Sequence, residues 1–258
     1  MMVLTQEQRS RYERNLLIPG IGESGQELLA QARVLIVGMG GLGSPAAFYL
    51  SAAGVGTLGL IDSDRVELSN LQRQVLHTVS RLGQPKTVSA LSALKALNPE
   101  VQIETFQERL TAENAPERIC GFDVVVEACD NFEAKFLIND VCSDLKKPFA
   151  TAGILALSGQ AQFVVPGQTP CVRCAWPEIP EGVPTTSERG VLGAVPGILG
   201  SVEALEVIRW ITGFWKPQSG GAGLLHTVDG ETMRLHTMRL PKRSDCPCRR
   251  LEAVDRSL

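Results

Sequence analysis

The sequence predicts an α/β fold: a mostly parallel sheet with flanking helices, continued by an antiparallel β extension. Three observations carry that reading. Short β-branched runs alternate with helical segments as far as about residue 154, and a glycine-rich turn joins the first run to a helix. Beyond residue 154 the alternation gives way to paired strands around one long helix.

Taken in order, Thr5 and Gln8 have the spacing of a capping box and open a helix that runs to Leu17, where Pro19-Gly20 stops it. Arg33–Val37 is a strand that leads into Gly38-Met-Gly-Gly-Leu-Gly43 and a helix to about Ala53. The strand Thr57–Ile61 follows and ends on Asp62. Pro85 suits the first turn of a helix reaching Asn98-Pro99. Val101–Phe106 and Asp123–Ala128 are further strands, then a helix over Phe132–Lys147 and a strand over Phe149–Ala152. Gln160–Val165, Gly223–Asp229 and Thr232–Met238 read as antiparallel strands around the helix Gly197–Ile211. The Pro/Gly-rich stretch Trp176–Pro196 is too long for a plain connector, and loops of that length are usually functional. The chain divides into residues 1–154 and 155–258, expected to form one continuous domain.

Composition excludes several classes. With 258 residues, 25 Lys+Arg against 28 Asp+Glu and 44% hydrophobic content, the chain is globular and lacks a basic surface for nucleic acid. The opening MMVLTQEQRSRYERN has no apolar core and does not read as a signal peptide. Glu203, Glu206 and Arg209 interrupt the longest apolar stretch, so no membrane span is expected. Seven cysteines without an export signal read as cytoplasmic thiols or metal ligands.

Gly38, Gly40 and Gly43 have the spacing G-x-G-x-x-G, with Gly41 an added glycine inside it. The context of strand, turn and helix makes this a Rossmann-like nucleotide site. Asp62, 24 residues after Gly38, suits a ribose diol. Asn70, Arg73 and Lys86 together could hold a triphosphate, and Asp130, at the carboxyl edge of a strand, could hold Mg²⁺. Singly, Lys86 also reads as a solvated lysine, Arg73 as a surface ion pair and Asp130 as a helix N-cap. His77, His226 and His236 occupy no recognisable catalytic setting, which weighs against hydride transfer. Cys171-x-x-Cys174 is half of a tetrahedral zinc site. Cys120 and Cys142 read as core packing, and Cys129 as an unreactive neighbour of Asp130.

Seven motifs then stand in a recognisable order. They are Arg11-Tyr-Glu-Arg14-Asn, the glycine turn, Asp62-Ser-Asp64, Ser69-Asn-Leu-Gln-Arg73-Gln, Gly83-Gln-Pro-Lys86, Asp130-Asn131 and Cys171-Val-Arg-Cys174. From Thr5 to Cys248 the chain resembles the bacterial ThiF/MoeB/HesA adenylyltransferases, relatives of the ubiquitin-activating enzymes. The resemblance implies ATP-dependent activation of the C-terminal glycine of a small ubiquitin-like sulfur carrier with a diglycine end. The product would be an acyl-adenylate, formed with release of pyrophosphate. It implies that Asp62 holds the ribose, that Asn70, Arg73 and Lys86 contact phosphates, that Asp130 holds Mg²⁺, and that Asp64, Ser69 and Asn131 belong to the same nucleotide-binding set. Arg14 would reach the triphosphate on a neighbouring subunit, which makes the protein a homodimer. Cys246-Pro-Cys248 would complete a structural zinc site, although the family spacing there is C-x-x-C. Thr186 stands where many members carry a reactive cysteine, and no rhodanese-like extension follows. A separate persulfide donor is therefore expected. The resemblance extends to activating domains of molybdopterin, thiamine and specialised-metabolite pathways alike. A nicotinamide- or flavin-dependent oxidoreductase and a non-catalytic scaffold of the same fold are the alternatives.

Overall fold

A computed structural model describes residues 4–218 and 222–250. Residues 1–3 and 251–258, the outer ends of the two expected parts, lie outside the described residues. The Thr5 hydroxyl accepts the Gln8 N–H at 3.1 Å, and the Gln8 side chain accepts the Thr5 N–H at 2.9 Å, forming the expected capping box. The helix is not continuous to Leu17. It divides into α1 (Gln6–Arg11) and α2 (Glu13–Leu16) at Tyr12, where φ is −98° and ψ is 13°. Tyr12 is buried, and its hydroxyl accepts a hydrogen bond from Asn98 Nδ2 at 2.8 Å. Docking against the body of the protein thus overrides the local helical pattern. A further helix, α3 (Gly22–Gln31), was not expected, because Gly22 and Gly25 lower the helix propensity that its buried Leu29 would otherwise reveal.

Next come β1 (Arg33–Val37), α4 (Gly43–Ala53), β2 (Thr57–Ile61), α5 (Lys86–Leu97), β3 (Gln102–Phe106), α6 (Ala115–Cys120), β4 (Val124–Glu127), α7 (Phe132–Asp144) and β5 (Phe149–Leu155). Pro85 is the N-cap of α5 rather than part of its first turn. Helix α6, with Pro116 near its start, was also unexpected, and it places Cys120 at the surface instead of in the core. These five strands pair in parallel in the order β3-β2-β1-β4-β5. Alternate strand residues feed two core layers. Val34, Ile36, Leu58 and Val126 pack beneath α4 and α5, while Leu35, Val37, Ile61 and Val125 pack beneath α6 and α7.

The remaining elements are β6 (Ser158–Val164), α8 (Val172–Ala175), α9 (Thr186–Arg189), α10 (Ala194–Ile211), β7 (Gly223–Asp229) and β8 (Arg234–Leu240). Strands β5 to β8 pair antiparallel, so one eight-stranded sheet crosses the 154/155 boundary. Strand β8 begins two residues later than expected, because Asp229 Oδ1 accepts the N–H groups of Glu231 and Thr232 and holds a turn there. No helix among the described residues is long and apolar enough to cross a membrane.

The strand order has one reversal that matters for chemistry. From β1 the chain moves outward through β2 and β3, then returns to place β4 on the other side of β1. The carboxyl ends of β1 and β4 therefore open a crevice between two loops that leave in opposite directions, the place where such sheets bind ligands.

Candidate functional site

Two glycines shape the turn after β1. Gly38 has φ +98°, and a Cβ there would stand 2.6 Å from Ala128 O. At Gly43 a Cβ would meet Gly38 O at 1.9 Å, so the loop folds onto itself in a way no side chain allows. Gly41 packs toward Pro196 on α10, whereas a Cβ on Gly40 would meet only Gln74 Nε2, at 3.7 Å. The N–H groups of Gly40 and Gly41 have no acceptor among the described residues. Both lie just before the first turn of α4, where the helix dipole adds to their attraction for an anion.

Asp62 is buried at the end of β2. Its Oδ2 accepts the Met39 N–H and its Oδ1 accepts the Asp64 N–H, both at 2.8 Å, so it ties the glycine turn to the next segment. Lys86, buried at the start of α5, pairs with Asp64 Oδ2 at 2.8 Å through one of the three donors of its ammonium. Asn70 is buried in a 3-10 turn over Leu68–Asn70, and its Oδ1 accepts the Glu67 N–H at 3.2 Å. Ser69 offers its carbonyl to Arg73 Nη1 at 3.0 Å. Asp130 is exposed just past β4. Asn131, not Asp130, caps α7, its Oδ1 accepting the Ala134 N–H at 2.9 Å, which leaves the Asp130 carboxylate facing solvent. Arg14 is exposed on α2 and makes no ion pair among the described residues. Cys129 Sγ lies 3.6 Å from Val37 O. Desolvation, reinforced by the Glu127 charge, pushes its thiol well above the ordinary range, which disfavours the thiolate.

The burial and partners of several polar residues are not legible in the sequence. Glu127, fully buried at the end of β4, pairs with Lys135 one turn into α7. The Lys135 ammonium also donates to Thr151 Oγ1 at 3.2 Å and to Ala152 O at 2.8 Å. The second Glu127 oxygen accepts the Cys129 N–H at 2.9 Å, so the pair fixes the backbone next to Asp130. Glu203 on α10 is buried as well, with no partner for either carboxylate oxygen among the described residues. Burial, then the Glu127 charge, raises its pKa well above the ordinary glutamate value. His77 is buried between the glycine turn and α5. Beside Lys135 lies a cavity of about 70 Å³, walled by Phe132, Val172, Trp176, Ala152, Ala161 and Leu225. In the long 176–196 connector, Thr185 and Glu188 form a capping box on α9, and Thr186 is the first residue of that helix. The T-x-x-E spacing is legible in the sequence and marks this stretch as more than irregular loop.

The four cysteines Cys171, Cys174, Cys246 and Cys248 are buried together, with all Sγ atoms within 4.8 Å of one another. Cys171 stands 3.6 Å from Cys246 and Cys174 stands 3.4 Å from Cys248. A tetrahedral Zn²⁺ with bonds of about 2.3 Å separates its sulfurs by about 3.8 Å, so the donor set fits despite the short C-x-C spacing. The knuckle is bolted to α7. Val172 N–H donates to Asn139 Oδ1 at 2.8 Å, and Arg173 grips Asp140 through two bonds of 2.7 and 2.6 Å while lying over the Phe136 ring.

A sequence profile of the ThiF family matches residues 12–248. The chain belongs to the ThiF family. It is 41% identical over 261 residues to a sulfur carrier protein adenylyltransferase of Thermus thermophilus, covering 98% of this chain and 95% of that one. It is 42% identical over 245 residues to the mouse adenylyltransferase and sulfurtransferase MOCS3, and spans about half the length (53%) of that relative. Among solved structures, E. coli MccB crystallised with MccA-N7isoASN superposes with a TM-score of 0.81. The match covers 93% of this chain and 74% of that one at 22% identity, a likeness of fold. The ThiF-family match therefore runs from α2 through the knuckle.

Proposed function

We propose that the chain is an ATP-dependent adenylyltransferase that activates the C-terminal glycine carboxylate of a small ubiquitin-like sulfur carrier ending in diglycine. The near end-to-end similarity to a sulfur carrier protein adenylyltransferase carries this reading. The arrangement at the sheet's reversal point supports it.

The reaction asks little covalent chemistry of the protein. A carrier carboxylate oxygen bonds to the α-phosphorus of ATP, the α–β anhydride bond breaks, and pyrophosphate leaves with the electron pair. Positioning and charge neutralisation are what the enzyme supplies. On this reading the open N–H groups of the Gly38-Met-Gly40-Gly41-Leu-Gly43 turn meet phosphate oxygens. Asp62 holds the ribose with its remaining lone pairs. Asn70, Arg73 and Lys86 contact the leaving phosphates, with Asp64, Ser69 and Asn131 keeping those groups in register. Asp130 holds Mg²⁺, which would offset charge on the phosphates. The mostly apolar cavity of about 70 Å³ beside Phe132 and Trp176 is small, and on this reading it takes the side-chain-free diglycine tail. The four cysteines hold one structural Zn²⁺. The protein works in the cytoplasm as a homodimer in which Arg14 completes the neighbouring site. Because Thr186 and its neighbours offer hydroxyls where thiolate chemistry would need sulfur, a separate persulfide donor delivers the sulfur.

Carrier-dependent exchange of labelled pyrophosphate into ATP tests the proposal. Wild type should exchange. Asp130→Ala and Arg73→Ala should lose exchange while keeping wild-type circular dichroism, since both side chains lie outside the core. Absence of exchange in wild type with diglycine-ended carriers would overturn the reading.

A further inference from the structure

His77 belongs to no step above, yet it is buried at the centre of the site. Its Nε2 lies 2.9 Å from Met39 O and its Nδ1 lies 2.9 Å from Ser89 Oγ. A carbonyl only accepts, so Nε2 carries the ring hydrogen and Nδ1 accepts from the Ser89 hydroxyl. Met39 is the second residue of the glycine turn, and its N–H is already held by Asp62. Both polar backbone atoms of Met39 are thus fixed, one by a carboxylate and one by an imidazole. The Met39–Gly40 peptide is planar and trans, so fixing the carbonyl also fixes the opposed N–H of Gly40. That N–H has no acceptor among the described residues. On the other side, Ser89 is fully buried on α5, one turn after Lys86. One ring therefore links the loop that presents an unpaired N–H to the helix that presents the lysine.

We propose that His77 is a positioning residue for nucleotide: as its Nε2–H tautomer it sets the direction of the Gly40 N–H and the spacing between the glycine turn and Lys86. The proposal rests on the adenylation reading and extends it to a residue outside the phosphate-contacting set.

Two polar variants separate the roles of the ring nitrogens. His77→Gln can place an N–H donor where Nε2 stands, whereas His77→Asn reaches only to the Nδ1 position. Mg·ATP affinity of the full-length zinc-loaded protein is measured by calorimetry, alongside KM and kcat for pyrophosphate exchange. His77→Asn should weaken Mg·ATP binding by about tenfold, the effect of one lost hydrogen bond at a preorganised site. It should raise KM for ATP and leave KM for the carrier unchanged. His77→Gln should recover most of the affinity. A merely structural role would lower the melting temperature of both variants and leave the folded protein's affinity for Mg·ATP intact. Equal affinity for the two variants, or affinity within twofold of wild type for His77→Asn, overturns the proposal. Should His77→Asn not fold, Ser89→Ala supplies the second arm: releasing Nδ1 should weaken Mg·ATP binding about threefold, and unchanged affinity overturns the proposal. Wild type that neither binds Mg·ATP nor exchanges pyrophosphate would instead reject the adenylation reading itself.

Discussion

Glu203 gives a prediction whose sign and size both follow from its surroundings. The side chain is 1% exposed on α10, and neither carboxylate oxygen has a partner among the described residues. The charges that act on it are Glu127, which disfavours ionisation, and Lys135, which is already engaged by Glu127, Thr151 and Ala152. Folded Glu203 therefore keeps a proton that the unfolded chain releases once pH passes the ordinary glutamate value. Raising the pH removes protons from the unfolded state alone and so favours unfolding. The slope for one such group is about 1.4 kcal/mol per pH unit, lasting until pH reaches the raised folded value. The volume-conserving Glu203→Met removes both the proton and the slope. Equilibrium urea unfolding of wild type and Glu203→Met at a series of pH values above the ordinary glutamate range should show the variant gaining on wild type by up to about 1.4 kcal/mol per unit, the gain levelling off once pH reaches the raised folded value. By thermal unfolding that is a difference of about 2 to 3 °C per unit for a chain of this length. A stability gap that stays constant within about 0.5 kcal/mol over the whole range would mean that Glu203 titrates alike in both states, and the reasoning would be wrong.

Lys135→Met should cost about 3 to 5 kcal/mol in the same assay, because it leaves Glu127 charged and unpaired; adding Glu127→Leu should restore most of the loss. Gly43→Ala should lose about 1 to 3 kcal/mol, since its new carbon meets backbone. Gly40→Ala should unfold like wild type yet bind Mg·ATP at least tenfold more weakly, a contrast read by calorimetry beside the urea curves. Dialysis against a strong zinc chelator should release one zinc per chain, expose the thiols of Cys171, Cys174, Cys246 and Cys248 to a thiol reagent, and lower the melting temperature.

The parallel sheet is legible because Val34–Val37 and Val124–Val126 are apolar on both faces, as strands between two helical layers must be. The glycine turn and the Cys171-x-x-Cys174 pair are legible because their spacing is itself the chemistry, whereas Cys246 and Cys248, one residue apart, are picked out only by the family resemblance. What stays hidden depends on packing between distant segments. Tyr12 breaks a helix through a hydrogen bond from Asn98, and glycines conceal α3. His77 and Lys135 look like ordinary surface residues until burial gives each a set of partners. Asp130 and Asn131 both suit a cap, and only the structure shows that the Asn131 side chain takes that position and leaves Asp130 exposed beside it.

The knuckle also imposes an order on synthesis. Cys171 and Cys174 emerge from the ribosome first, but a four-thiol site is complete only with Cys246 and Cys248, which follow after α10, β7 and β8 have been made. The first five strands can pair early, as N-terminal segments of a growing chain generally do. A nascent chain halted at Pro241 would offer two thiolates and hold metal weakly. A metal held by all four thiols would therefore join the knuckle only after everything between the two cysteine pairs has been translated, and α7, gripped through Arg173, is the helix to which that knuckle is tied.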